Sequence, residues 1–186
     1  MSRVNLNDAA DINQITEDQT KVEAKSQAVE KVVLGVISVY AQDLDQLVGS
    51  IDANIRKQEL DGLTDQELET YCLKLSSFMY FAAAGQELIG LKEAIANALN
   101  KEEYNNSYAN ASGTIADKKA SAELESQSSM LVDLIYDQAE KMMASKLAYA
   151  THLLGSIKRV LNRRIEQMKM NPSGITYKTD TEVSND

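Results

Sequence analysis

The feature that most constrains this chain is a ladder near its C-terminal end: Met143, Leu147, Ala150, Leu154, Ile157, Leu161, Arg164 and Met168. Its steps alternate between four and three residues, the spacing that holds one line of side chains on one face of a helix and forms the seam of a coiled coil. From Thr114 to Met170 there is no proline, and Gly155 is the one glycine. The spacing therefore predicts a single helix over that stretch, about 80 Å long at 1.5 Å per residue. A helix of that length with an apolar stripe must cover the stripe, with segments of its own chain or with other copies. Met143, Leu147, Ala150, Leu154, Ile157, Leu161 and Met168 are accordingly the expected oligomer seam.

The upstream sequence supplies helical partners. Thr20 with Glu23 has the capping-box spacing, and the stripe Val33, Ile37, Tyr40, Leu44, Leu47, Ile51 then steps by four and three, predicting a first helix to about Gln58. Leu60-Asp61-Gly62-Leu63 reads as a turn, and Thr64 with Glu67 repeats the capping box. A second helix follows through Leu68, Cys72, Leu75, Met79 and Ala82 and on through Leu88, Leu91, Ile95 and Leu99. Its small run Ala82-Ala83-Ala84-Gly85 offers a place where two backbones approach closely. Asn105 to Gly113 reads as a loop by composition, and Thr114 with Asp117 opens the long third helix. The first half of that helix is best fitted by Leu124, Leu131, Ile135 and Met142, a stutter-like change of register against the Met143 ladder.

The fold expected is all-α: a long antiparallel helical hairpin plus a long C-terminal coiled-coil-like helix. Residues 1–19 are polar and aperiodic and read as a disordered leader, 20–170 as one helical domain, and 171–186, which contains the only proline, as a disordered tail.

Several chemistries are excluded by the residues present. Cys72 is the only cysteine and His152 the only histidine, which removes disulfide frameworks, thiolate metal sites and the usual Ser–His and Cys–His pairs. A helical di-metal site needs Glu-x-x-His, and the residue three before His152 is Tyr149. No glycine-rich phosphate loop or zinc-protease pattern occurs. The reading is a non-enzyme with no cofactor and no metal. The N-terminal residues lack an apolar signal core and no apolar run reaches spanning length, so the expected location is the cytoplasm, with no membrane partner.

Charge is unevenly placed. The chain carries a net charge of -9, yet Glu140–Met170 holds seven cations against two anions, a local +5. Lys146, Lys158, Arg159, Arg163, Arg164 and Lys169 are the candidate nucleic-acid-binding residues, since a helix face of Lys and Arg can follow a phosphate backbone. Cations near a helix C-terminus also complement its dipole and solvate it, so the same residues fit a purely structural role. Arg164 stands in the ladder itself and calls for a carboxylate or phosphate partner. Of the aromatics that could stack bases, Tyr149 stands among these cations, Tyr136 lies farther upstream, and Tyr104 and Tyr108 lie in the preceding loop.

The order of parts resembles one known family. A tyrosine-bearing polar stretch (Tyr104 to Gly113) precedes a helix start Lys118-Lys119-Ala120-Ser121-Ala122-Glu123-Leu124-Glu125, and the long helix ends in Leu153-Leu154-Gly155-Ser156-Ile157-Lys158 and Asn162-Arg163-Arg164-Ile165. Over roughly the C-terminal 70 residues this resembles the UvsY-type recombination mediators of tailed bacteriophages. The resemblance implies a helical homo-oligomer that binds single-stranded DNA and helps load a RecA-type recombinase onto strands covered by single-strand-binding protein. It implies an assembly role for the Leu-Leu-x-Ser-Ile segment and a nucleic-acid role for the arginines after it. Where the family carries basic residues before its long helix, this chain reads Lys101-Glu102-Glu103-Tyr104. The alternative function is a coiled-coil structural, assembly or partner-binding protein, such as a phage host-interaction factor, without nucleic-acid binding.

Overall fold

The computed structural model describes residues 9–170 as four helices: α1 (Ala9–Gly62), α2 (Asp65–Asn110), α3 (Ile115–Glu125) and α4 (Gln127–Met170). The fold is all-α, and no strand occurs among the described residues. α1 and α2 form an antiparallel hairpin through Leu63 and Thr64. The expected capping box closes this turn: the Thr64 hydroxyl accepts from Glu67 N–H at 3.3 Å, and Glu67 Oε2 accepts from Thr64 N–H at 2.8 Å. Leu63 tucks into the core at 3% exposure, which fixes the angle at which the chain reverses. α4 runs back along α2, pairing residue 133 with 97 and 164 with 65, and lies parallel to α1, pairing 146 with 45.

The core is the ridge where α1, α2 and α4 meet. Val33, Ile37, Leu44, Leu47 and Ile51 of the α1 stripe are buried and Tyr40 is half-buried beside them. Each fully buried Leu or Ile in such a line contributes about 1.5–3 kcal/mol. α2 faces them with Leu68, Leu75, Ala82, Ile89 and Ala96, one residue every seven. The close approach expected at the alanine run falls at Gly85: a Cβ there would stand 2.4 Å from Tyr40 Cβ. Hydropathy within Thr16–Lys57 is high enough by length and composition to cross a membrane, with an 18-residue window at 1.2. Here that hydropathy supplies the buried stripe of α1.

Four boundaries differ from those read in the sequence: the start of α1, its end at Gly62 rather than about Gln58, the end of α2, and the split of the third helix. α1 begins at Ala9, so residues 9–19 of the expected leader are helical; residues 1–8, and the expected tail 171–186, lie outside the described residues. Thr20 does not cap: its hydroxyl donates back to the Thr16 carbonyl at 2.9 Å within the helix. A capping-box spacing marks a possible start, and nothing upstream of Thr20 breaks a helix. Side chains 16–28 are all exposed, so this first stretch of α1 stands off the core.

α2 continues through the Asn-rich segment to Asn110, where the Ala111 N–H bonds the Ser107 carbonyl at 2.9 Å. Tyr104 and Tyr108, one turn apart, stack there with ring centroids at 6.5 Å, and α3 packs against this end of α2. Tertiary contact overrides the weak helix propensity of Asn and Ser. Only 111–114 is loop, with Gly113 at φ +110, a conformation that L side chains rarely adopt.

The long third helix is two helices, divided at Ser126 (φ −85, ψ 4). The change of register read in the sequence has no counterpart in α4. Leu124 and Leu131 point outward at 67% and 45% exposure, while the inner line runs Ala122, Ser126, Ser129, Asp133, Tyr136, Ala139, Met143. Its polar members meet polar residues of α2: Asn97 Nδ2 donates to Asp133 at 3.2 Å and Ser129 Oγ donates to Asn100 Oδ1 at 3.2 Å. The expected apolar continuation of α2 is also turned around. Leu88, Leu91, Ile95 and Leu99 are 49–59% exposed, and the inner line passes through Gly85, Ile89 and Ala96.

Candidate nucleic-acid interface

Two of the α4 cations, Lys146 and Arg164, point inward and meet carboxylates of α1 and α2. Lys146 Nζ donates to both carboxylate oxygens of Asp45 at 2.7 and 2.8 Å. Arg164 Nη1 donates to Asp65 Oδ1 at 2.6 Å and to the Leu63 carbonyl at 2.8 Å, with its side chain 18% exposed. The partner that a seam arginine requires is thus an intrachain carboxylate, and the guanidinium ties α4 to the α1–α2 turn.

Lys158, Arg159, Arg163 and Lys169 point outward and are exposed. Arg159 Nε donates to the Gly155 carbonyl at 3.3 Å, one turn back. The end of α1 adds Arg56 and Lys57, also exposed. This end of the bundle is not uniformly basic: Glu166 lies among the α4 cations, and Glu67 and Glu69 sit on the first turns of α2.

The aromatics do not gather on this face. Tyr149 is half-exposed, and its hydroxyl donates to the Asp52 carboxylate at 3.1–3.2 Å; that bond raises its pKa. Tyr104 and Tyr108 lie near the C-terminal end of α2, which packs against the start of α4, at the opposite end from Lys158–Lys169. Among the described residues the arrangement offers positive charge for a backbone, with Tyr149, Tyr104 and Tyr108 held elsewhere.

The Met143 ladder is largely occupied within the chain. Met143, Ala150 and Ile157 are 0% exposed in the common core, and Leu147, Leu154 and Leu161 are half-buried against it. Met168 alone among the expected seam residues stands open, at 58% exposure.

Among the described residues no group of three or more acidic, His or Cys side chains is placed to hold a metal ion. Cys72 is half-buried, and burial pushes its thiol pKa up, partly opposed by the charge of Lys158. A raised thiol is a poor nucleophile. Compared with known proteins, the chain matches no family model, no curated protein and no solved structure.

Proposed function

We propose that this chain is a non-enzymatic, cytoplasmic, oligomeric helical protein that binds single-stranded DNA through the last turns of α4. In this reading it acts as a recombination mediator, helping a RecA-type recombinase onto strands held by single-strand-binding protein. The observation that carries the reading is the outward set Lys158, Arg159, Arg163 and Lys169 in a chain whose net charge is -9. Positive charge kept on one exposed helix end of an acidic protein suits a localised phosphate contact, and the acidic remainder disfavours wrapping by duplex. Lys146 and Arg164, committed to Asp45 and Asp65, serve the fold in this scheme.

The test is fluorescence anisotropy of a labelled poly-dT strand titrated with protein across a salt series. If all four cations engage phosphates, log affinity falls against log salt with a slope of about −3 per chain, from roughly −0.7 per contact on single strands. Arg159→Glu with Arg163→Glu abolishes binding with helicity unchanged. Binding that survives this double reversal, or that ignores salt, refutes the reading.

The second reading, a structural or partner-binding protein without nucleic acid, is favoured by a different observation, the exposed apolar face of α2. No binding to poly-dT at low salt selects it.

A further inference from the structure

α2 is apolar on two sides. Its inner side is the line from Leu68 to Ala96 described above, and its outer side carries Leu73, Tyr80, Phe81, Leu88, Leu91, Ile95 and Leu99, each 49–74% exposed. Contiguous apolar patches of this kind mark interaction surfaces. α1 and α4 lie on the inner side, and among the described residues nothing covers the outer one.

The outer side has a coiled-coil register. Phe81, Leu88 and Ile95 fall seven apart as a positions, and Ala84, Leu91 and Ala98 fall at d. Isoleucine at a with leucine at d, as at Ile95 and Leu91, is the combination that favours two strands. In this register the seam runs from Phe81 to Ala98, about two and a half heptads and about 27 Å of helix; one heptad earlier the a and d positions are Lys74 and Ser77.

The flanking charges select both the partner and its direction. Glu87 is a g position and Lys92 the e position five residues on; both are exposed, and Lys92 lies 5.9 Å from the Tyr40 ring centre. In a parallel, in-register pair, g of one helix meets the following e of the other, so Glu87 of each copy faces Lys92 of its mate twice over. Of the other flanking positions in that register, Tyr80, Ala94 and Leu99 are uncharged, and Gly85 is closed off by Tyr40 of α1. An antiparallel pairing centred on Leu88 and Leu91 sets Glu87 against Ala94 and Lys92 against Gly85 and forms neither ion pair.

We propose that the occupant of this face is a second copy of the chain, and that the protein is a parallel two-fold dimer joined α2 to α2 along Phe81, Leu88, Leu91 and Ile95. The inference rests on the oligomeric part of the proposed function and is independent of DNA binding. It also relocates self-association from α4, whose ladder is spent in the core, to α2. A two-fold axis along α2 directs the α4 cations of both copies toward the same end of the assembly.

Sedimentation equilibrium of the full chain without DNA tests it. The expected mass is 41 kDa, twice the chain's 20.5 kDa, and Leu88→Glu with Ile95→Glu returns the monomer mass with circular dichroism unchanged. Glu87→Lys or Lys92→Glu alone weakens the dimer, and the two together restore it. For direction, Ala98→Cys in a Cys72→Ser background cross-links to itself on mild oxidation if the helices are parallel. A wild-type monomer at tens of micromolar, a trimer or larger mass, a dimer indifferent to the Leu88 and Ile95 changes, or failure of the Ala98→Cys cross-link overturns the proposal. Each outcome is read without nucleic acid, so failure of strand binding leaves it standing.

Discussion

A single methyl group placed at Gly85 and at Gly35 should change stability in opposite directions. At Gly85 the added Cβ would stand 2.4 Å from Tyr40 Cβ and 2.6 Å from Tyr40 Cγ. Comfortable carbon–carbon contact is about 3.5–4.0 Å, so the space is short by about 1 Å. The obstructing atoms are the root of the tyrosine, attached to the α1 backbone, and turning the ring does not clear them. α1 must retreat from α2 in the middle of the hairpin, with a cost of about 1–3 kcal/mol for overpacking of this kind. The gain in helix propensity from Gly to Ala, about 0.8–1 kcal/mol, offsets part of this. Gly35 in the same hairpin meets nothing within 4 Å, so Gly35→Ala keeps the propensity gain without the clash. The two variants should therefore differ by about 1–3 kcal/mol. At about 2–4 °C per kcal/mol for a chain of this size, that is a separation of about 2–12 °C in Tm. Thermal melts followed by ellipticity, at one protein concentration because self-association shifts Tm, give the answer. If Gly85→Ala is stabilised as much as Gly35→Ala, α1 and α2 do not pack as closely as described.

Two further outcomes follow from the turns and the inward arginine. Hydrogen bonds from Thr64 hold the Glu67 carboxyl below its ordinary 4.5, and those from Thr114 hold Asp117 below 3.8; a depressed folded pKa adds stability above the ordinary value that is lost as pH falls through the folded one. Urea midpoints of the wild type and of Glu67→Gln/Asp117→Asn should thus converge as pH drops below about 4.5, and a gap independent of pH refutes the assignment. Arg164→Met, which keeps most of the aliphatic stem and removes the bonds to Asp65 and Leu63, should cost about 1–3 kcal/mol in urea unfolding while poly-dT affinity stays where it is. Lost affinity at unchanged stability would instead make Arg164 a strand contact.

The parts of the fold legible in the sequence are those where apolar spacing and local turn chemistry point the same way. The α1 stripe from Val33 to Ile51 is such a case, as are the caps at Thr64 and Thr114 and the close approach at Gly85. Legibility fails where the inner line is polar. α4 turns Ser129 and Asp133 toward α2, and an apolar-periodicity reading passes over them to the outward Leu124 and Leu131. It fails again on α2, where two apolar faces share one helix. The jump from Ala82 to Leu88 carries the reading off the core line and onto the outer one, because periodicity counts apolar residues without knowing which side the neighbours occupy.

The candidate site shows the same division, and its physical cause is length. Spacing along α4 names six cations on its polar and seam faces, but the acids that meet Lys146 and Arg164 come from far away in sequence, Asp45 and Asp65. Arg164 lies level with Leu63 in the α1–α2 turn, and α4 continues to Met170 with residues 165–170 all exposed. Those six residues extend about 9 Å beyond that level at 1.5 Å per residue. Lys169 stands on this overhang, and Lys158, Arg159 and Arg163, with exposed side chains, lie about two to three turns before Lys169. An acidic bundle screens charge along its flank and loses that screening past its end, where field lines leave into solvent. Shortening α4 within the overhang should therefore weaken strand binding more than its single lost lysine predicts, and lengthening the hairpin turn to cover it should do the same with every cation retained.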